Sequence, residues 1–284
     1  MTFPIFLRIL LFSFRVLPGP GLFIFLPVVL AGQDLFVAGN NPFFAWGSYN
    51  KPQVDAFSFT GNKAALARVV VPGLGLVGER LYGLQEIHRY RVSAALPVKK
   101  AGFGLQAGYA VAGLYREGLL GLACGRKLGK AIDLGTQFTV QRATVPGYTS
   151  YTVLSADVGL LLHLTSRINA GWNIRIPYQV NMGDQHGGIP FYYSMGIGFD
   201  AAAGWCAAME LEKSPFADLR AGVGFIYEPH ALVKLKLGVR SGGIPFWFGC
   251  SYQLKSFRVD FSVSIHDRLG ITPGVGLHHS FPRK

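Results

Sequence analysis

The stretch FRVDFSVSIH, residues 257–266, places an apolar side chain at every odd position and a polar or charged one at every even position. Successive side chains of a β-strand point to opposite faces, so this stretch predicts a strand with one apolar and one polar face. The stretch ALVKLKLGVR, residues 231–240, shows the same pattern. Similar alternation recurs from residue 68 to the C-terminus, and helical periodicity is nearly absent. The sequence therefore predicts an all-β chain.

Two architectures give this alternation: a soluble sandwich with its apolar faces inward, and a membrane barrel with its apolar faces toward lipid. The predicted strands are about nine to twelve residues long, which suffices to cross a bilayer at a tilt, whereas typical strands have about five or six. Glycines mixed with charges on the polar faces suit a filled lumen better than a solvated surface. We therefore expect a transmembrane antiparallel β-barrel of roughly fourteen strands. Short turns should alternate with longer loops, and both chain ends should be periplasmic.

Composition agrees with a membrane protein that does not cross the membrane with helices. The chain has 284 residues, of which 50% are hydrophobic and 15% charged, and its mean hydropathy is +0.31. No run of about 18 consecutive apolar residues follows residue 32. The net charge of +12 could suit nucleic acid or an anionic membrane surface. The basic turns lack interleaved aromatic residues, so we expect no nucleic-acid partner. Three widely spaced cysteines indicate no metal site, and we expect no cofactor.

Three segments are predicted along the chain. Residues 1–32 have a basic start, an apolar core and a small-residue cleavage site, which predicts a signal peptide; a retained N-terminal helix is the alternative. Residues 33–67 do not alternate and are rich in aromatic residues that need burial. We expect them to form a plug or hatch in the lumen, or a segment that covers the barrel mouth. Residues 68–284 form the predicted outer-membrane barrel, and Phe281 is its expected C-terminal assembly signal.

Charged residues on the polar strand faces form a candidate lumen-facing network. Acids and bases fall on neighbouring strands, so cross-strand pairing could neutralise them. The network could be a salt-bridged filling of the barrel or an ion-conducting basic path. Its predicted members are Arg89, Arg91, Arg167, Arg175, Glu210, Glu212, Asp218, Arg220, Lys234, Lys236, Arg240, Arg258 and Asp260.

Two weak signals point to other chemistry. The glycines of residues 73–78 match a dinucleotide fingerprint, but no helix is predicted after them, so we expect them to let the first strand approach the plug. His278 and Ser280 have a spacing similar to that of lipid A deacylases, and Asp260 is the nearest orienting group by strand order. A membrane lipid hydrolase is therefore the most distant alternative, and no catalytic residue is assigned.

The N-terminal segment resembles a known family of barrels. The runs at residues 47–49, 55–57 and 61–67 are similar to the N-terminal signature of PorV/PorQ-like proteins, which belong to the wider FadL-like superfamily. In that signature a glycine-rich stretch leads to Asn-Pro-Ala-Gly/Ala-Leu-Ala. The matching plug motif here is Asn62, Ala64, Ala65 and Leu66, with Lys63 in place of the proline. The C-terminal runs at residues 266–273 and 276–281 are also similar to that group's ending.

The resemblance implies a fourteen-stranded barrel with an N-terminal hatch in the outer membrane of a Bacteroidetes-like bacterium. It also implies a non-enzymatic binding or shuttling component of type IX secretion, whose partners would be secretion-machinery proteins or secreted cargo. The alternative within the superfamily is a transporter of hydrophobic small molecules, whose ligand would be apolar. Outer-membrane lipid is the partner expected in either case.

Overall fold

Fourteen strands form one closed antiparallel barrel, in which each strand pairs with the next and β1 pairs with β14. The computed structural model describes residues 35–38, 42–148, 150–179, 191–201, 204–214, 217–242 and 245–281. The predicted signal peptide lies outside these ranges. The strands are β1 Gly73–Arg80, β2 Ile87–Val98, β3 Ala101–Ala112, β4 Tyr115–Lys127, β5 Ile132–Thr144, β6 Tyr151–His163, β7 Ile168–Gln179, β8 Tyr192–Asp200, β9 Trp205–Ser214, β10 Ala217–His230, β11 Val233–Arg240, β12 Phe246–Leu254, β13 Phe257–His266 and β14 Gly270–Ser280.

The alternation in the sequence becomes the division between the two sides of the wall. In β13, Phe257 and Phe261 are 56% and 53% exposed, whereas Arg258 and Asp260 are 8% and 0% exposed. Large apolar side chains stand outward on every strand. A continuous apolar belt of this kind is stable in lipid and would aggregate in water. The predicted transmembrane barrel of fourteen strands is confirmed.

The two ends of the barrel differ in their connections. At the end where β1 begins and β14 finishes, called the terminal end, the turns contain two to four residues. At the opposite end, called the loop end, the connections include residues 81–86 and 145–150. The sorting by length is incomplete, because residues 113–114 form a two-residue turn at the loop end. Gly113 adopts φ 61° there, a conformation that glycine allows in tight hairpins.

The described residues of the N-terminal segment, 35–38 and 42–68, pack against the inner face of the barrel. They comprise two short α-helices, α1 (Leu35–Ala38) and α2 (Pro42–Ala45), followed by 3-10 helices at Trp46–Tyr49, Lys51–Gln53, Ser58–Thr60 and Lys63–Arg68. Phe43, Phe57 and Phe59 are at most 1% exposed. We call residues 42–68 the plug. The expected start of the first strand at Arg68 is wrong, because this residue ends the last 3-10 helix, and β1 begins at Gly73.

Inward-facing glycines of the wall receive the side chains and backbone of the N-terminal segment. A Cβ atom at Gly75 would overlap the Phe57 ring, and one at Gly135 would overlap the backbone of Lys63. These glycines therefore allow a close approach that no other residue permits. Equivalent pairs are Gly108 with Phe36, Gly196 and Gly198 with Tyr49, Gly224 with Trp46, Gly249 with Phe43, and Gly276 with Phe44. Among the described residues, no helix is long and apolar enough to span a membrane.

Candidate functional site

A buried lysine of the plug is paired with the wall at β6. Lys63 is 0% exposed, its Nζ lies 3.8 Å from the Asp157 carboxylate, and it donates a hydrogen bond to the Thr60 carbonyl oxygen. Arg175, directly opposite on β7, lies 2.8 Å from the same carboxylate. Burial lowers the pKa of Lys63 to about 8, although Asp157 favours its charged form. Asp157 therefore joins the plug to two strands of the wall.

A second ion cluster joins the plug to β13. The Arg258 guanidinium donates to Asp55 at 2.7 Å and to Asp260 at 2.9 Å. Burial opposes ionisation of Asp55, but the charges of Arg258, His278 and Lys236 outweigh it and hold the pKa of that carboxyl well below its usual range. Asp55 also accepts backbone hydrogen bonds from Phe57 and Ser58. The same carboxylate thus shapes the plug and binds it to the wall.

A third cluster lies near the terminal end. Arg68, the last residue of the plug, donates to Asp133 of β5 at 3.0 Å. His163 of β6 lies 2.8 Å from the same carboxylate. The chain is therefore held by charge immediately before it enters β1.

The predicted plug motif lies against β3 to β7. Asn62, Ala64, Ala65 and Leu66 are each 0% exposed. The Asn62 side chain accepts a hydrogen bond from the Ala64 amide and donates to the carbonyl oxygens of Leu160 and Trp172 at 3.2 and 3.0 Å. Asparagine is a favoured cap because its side-chain oxygen satisfies such a free amide. The small alanines lie where the backbone approaches the wall glycines Gly135 and Gly159.

A small polar cavity remains on the loop-end side of the plug. Its volume is about 50 Å³, and Trp46, Tyr192, Glu210, Glu212 and Arg240 are among its lining residues. The Tyr49 hydroxyl donates to Glu210 at 2.7 Å, and Arg240 donates to Glu212 at 3.0 Å. This cavity combines aromatic surface with paired charges.

An apolar groove of about 240 Å³ lies on the outer face of β6 to β9. Gly171 and Gly196 face each other across β7 and β8 and belong to its lining. The neighbouring pairs are Ala170 with Ile197 and Trp172 with Met195, which also line the groove.

The plug lies directly behind this groove. On the inner side of the wall, a Cβ at Gly171 would lie 3.0 Å from Asn62 Nδ2, and a Cβ at Gly196 would overlap the Tyr49 ring. Neither glycine has a side chain that would separate the strand backbone from the plug. A single layer of backbone therefore separates the plug from the outer groove.

The remaining predicted network residues are distributed as follows. Arg89 lies 2.7 Å from Glu79 of β1, Lys234 lies 2.9 Å from Glu228, and Lys236 donates to the Phe43 carbonyl oxygen at 3.0 Å. The Arg91 guanidinium lies 5.9 Å from the centroid of the Phe36 ring. Most of the predicted cations therefore contact a carboxylate or the N-terminal segment.

The prediction is wrong for two members of the network. Arg167 is exposed in the turn between β6 and β7, because its strand begins only at Ile168. Asp218 is exposed at the start of β10, where the pairing with β9 shifts register. Arg220 is half-buried on that strand. The ion pair of Arg240 is also not with an adjacent strand, since Glu212 lies two strands away on β9.

Sequence reasoning missed most of the acids that balance these cations. Glu79, Asp133 and Asp157 are each at most 6% exposed and accept the ion pairs described above. Each lies on the polar face of its strand, so the same alternation that selected the cations could have selected them. Asp55 and Lys63 lie in the plug, where no strand periodicity indicates which side chains face the wall.

The two weaker signals are explained by the barrel. Asp260 is bound to Arg258, and the ring of His278 packs against that of Phe57 at 5.9 Å between centroids. Among the described residues, His278 Nε2 has no hydrogen-bond partner. Residues 73–78 form a strand. Phe281, the predicted assembly signal, is 48% exposed, and its amide donates to the Pro72 carbonyl oxygen at 2.8 Å.

Three solved structures resemble the barrel. The CymD monoaromatic hydrocarbon channel matches with a TM-score of 0.60 at 13% identity, over 81% of this chain and 94% of that one. A deletion mutant of the TodX monoaromatic hydrocarbon channel matches at 0.61 with 10% identity, over 80% and 95% of the two chains. A Pseudomonas aeruginosa FadL homologue matches at 0.57 with 13% identity, over 86% and 96%. No family model and no curated protein matches the sequence. At these identities the similarity establishes the fold.

Proposed function

We propose that this barrel is an outer-membrane transporter of small apolar molecules, which leave it sideways through the wall at β7 and β8. The observation that supports the proposal is the Gly171–Gly196 pair, which has an apolar groove outside it and the plug directly inside it. The resemblance in fold to hydrocarbon channels agrees with this substrate class. The N-terminal residues 1–32 would direct export, with the terminal end in the periplasm.

A sideways route suits the arrangement of the lumen. The plug and its ion pairs with Asp133, Asp157 and Arg258 lie across the axial path within the described part of the chain. An apolar molecule would lose hydrophobic stabilisation by passing these charges into water. The groove opens toward lipid, which solvates such a molecule.

The plug side chains behind the glycines would act as the closure. Asn62 donates to carbonyl oxygens of both β6 and β7, and Tyr49 is held by Glu210 of β9. Moving these two side chains inward would open the inner side of the wall at the glycine pair. Passage of a molecule would also require local separation of β7 from β8, which are paired from Ile168 to Arg175.

Filling the groove from outside tests the route. Ala170→Trp places a large ring beside the glycine pair, and Val239→Trp, on the outward face of β11, is the matched control. The assay is uptake of radiolabelled toluene by cells whose outer membrane lacks other hydrocarbon channels. We expect Ala170→Trp to lower uptake at least tenfold and the control to leave it unchanged. Wild-type uptake equal to that of cells without the chain would reject the transport function. Unimpaired uptake through Ala170→Trp would reject only the sideways route.

A binding role in type IX secretion is the second proposal. It is implied by the resemblance of the plug motif and the C-terminal runs, and the filled lumen is compatible with a protein that binds partners instead of conducting ions. Purification from gently solubilised membranes tests it. Co-purification of secreted proteins in stoichiometric amounts is expected, and a protein recovered alone that binds toluene would contradict this role.

A further inference from the structure

The terminal end of the barrel carries an uninterrupted arc of positive charge. Three consecutive turns at this end join β2 to β3, β4 to β5 and β6 to β7, and all their residues are described. The exposed cations on these turns and their flanks are Lys99, Lys100, Arg126, Lys127, Lys130 and Arg167. We call these six residues the basic arc. The turns contain no acidic residue, and the neighbouring Asp133 is buried in its ion pair with Arg68.

The turns of the arc are in contact with one another. The Lys127 amide donates a hydrogen bond to the Lys100 carbonyl oxygen at 3.0 Å. Four lysines therefore lie on the first turn, the end of β4 that contacts it, and the turn that follows β4. The mutual repulsion of exposed like charges is reduced further when an anionic partner binds them.

Two lysines at the terminal end adopt a backbone conformation that glycine or asparagine adopts more readily. Among the described residues, three that are not glycine have positive φ: Tyr82, Lys99 and Lys255. Both lysines lie in two-residue turns at the terminal end, with φ of 36° and 54°. Glycine or asparagine would adopt this conformation at lower cost. The chain nevertheless has a lysine at both positions.

Apolar residues accompany the basic arc. Leu128 and Leu164, in two of the three turns, are 51% and 58% exposed. They continue the outward apolar belt, which includes Leu96 and Phe103 beside the first turn. Cations interleaved with exposed leucines at the edge of this belt match the boundary between acyl chains and headgroups.

We infer that the basic arc binds the headgroups of anionic phospholipids in the leaflet at the terminal end of the barrel. Lysine and arginine near an anionic leaflet are each attracted to it within about one Debye length. The exposed leucines would lie among the acyl chains of the same lipids. A soluble polyanion would contact the cations but would leave these leucines in water, which is why lipid is the favoured partner. The inference does not depend on the transport function.

Competitive lipid binding to the full-length barrel tests the inference. The protein in neutral detergent is mixed with equal amounts of phosphatidylglycerol and phosphatidylcholine, and bound lipids are counted by native mass spectrometry. In the test variant Lys99, Lys100, Lys127 and Lys130 are changed to Gln. In the control variant the same number of exposed loop-end cations, Arg80, Arg116, Arg142 and Arg268, are changed to Gln. A third variant replaces the four lysines by Arg, and migration of unheated samples on gels verifies that each barrel is folded.

The expected result is a preference of wild type for phosphatidylglycerol that falls at least tenfold in the test variant. The control and the Lys→Arg variant should stay within about twofold of wild type, because they keep the charge of the arc. Equal binding of both lipids by wild type would overturn the inference, as would an equal loss in the control variant. Salt-sensitive binding of wild type to heparin without any lipid preference would instead assign the arc to a soluble polyanion.

Discussion

Replacing Gly75 by alanine should loosen the contact between plug and wall by a predictable amount. The added Cβ would overlap the Phe57 ring. That ring is 1% exposed and packs against the Phe44 ring at 5.4 Å between centroids. The Phe57 amide donates a hydrogen bond to Asp55, which fixes the backbone that carries the ring. The ring is enclosed by the wall and by the rings of Phe44 and His278. Overpacking of this kind costs about 1–3 kcal/mol, and we expect Gly75→Ala to destabilise the folded barrel by that amount.

A double-mutant cycle isolates the contact. Phe57→Ala alone should cost about 3–5 kcal/mol because it removes a buried aromatic side chain. In that background the new methyl group enters the vacated space, so Gly75→Ala should be neutral, or stabilising by about 0.5–1 kcal/mol through the strand preference of alanine over glycine. The measurement is urea unfolding in lipid vesicles, followed by tryptophan fluorescence. Gly118→Ala on β4 is the control, because a Cβ there has no atom within 4 Å.

Two outcomes would contradict this reasoning. If Gly75→Ala costs as much with Phe57→Ala as without it, the ring is not the obstacle. If Gly118→Ala is equally destabilising, the loss reflects a general sensitivity of the strands to alanine and not the plug.

Three further substitutions test the plug. Asn62→Ala removes the cap and the two hydrogen bonds from this side chain to wall carbonyl oxygens, so a loss of about 1–3 kcal/mol is expected in the same unfolding assay. Arg258→Met should cost about 3–5 kcal/mol by leaving two carboxylates unpaired, and adding Asp55→Asn should restore part of it. The pKa of Lys63 is about 8 in the folded protein, compared with an ordinary value of 10.5. Between these two pH values the unfolded chain binds more protons than the folded one, so the contribution of Lys63 to wild-type stability rises with pH. At pH 7 the Lys63→Met variant should therefore be more stable than wild type by up to about 3 kcal/mol, and this difference in unfolding free energy should shrink toward pH 10.5. A difference that does not change with pH would contradict the lowered pKa of Lys63.

Strand alternation predicted the barrel well because the face to which each side chain points is set by its position within a single strand. In residues 257–266, a shift of one position would turn Arg258 and Asp260 toward lipid, so the sequence permits one orientation. The start of β1 was not predictable in this way. Val69, Val70 and Val71 look like a strand, but the ion pair of Arg68 with Asp133 holds the preceding helix, and Asp133 is distant in sequence.

The candidate site was predicted only in part, for a related reason. The polar strand faces indicated which charged side chains point inward, but they did not indicate the partners of those side chains. Arg240, for example, pairs with Glu212 two strands away and not with a residue of the adjacent strand. The groove at Gly171 and Gly196 has no sequence signature, because it arises from register between strands and from plug residues behind them. Contacts of this type follow from tertiary packing and not from periodicity.

The position of the plug also bears on how the barrel forms. Pairing of β1 with β14 joins strands about two hundred residues apart, and such ring closure is entropically costly and slow. Plug residues that contact Gly135 and Gly159 on the central strands belong to the same segment as Phe44 and Phe57, which contact Gly276 and Gly75 on the two strands of the seam. A plug bound early to the central hairpins would present binding surfaces for both edges of the open sheet. The plug would thereby speed the pairing of β1 with β14 that closes the barrel.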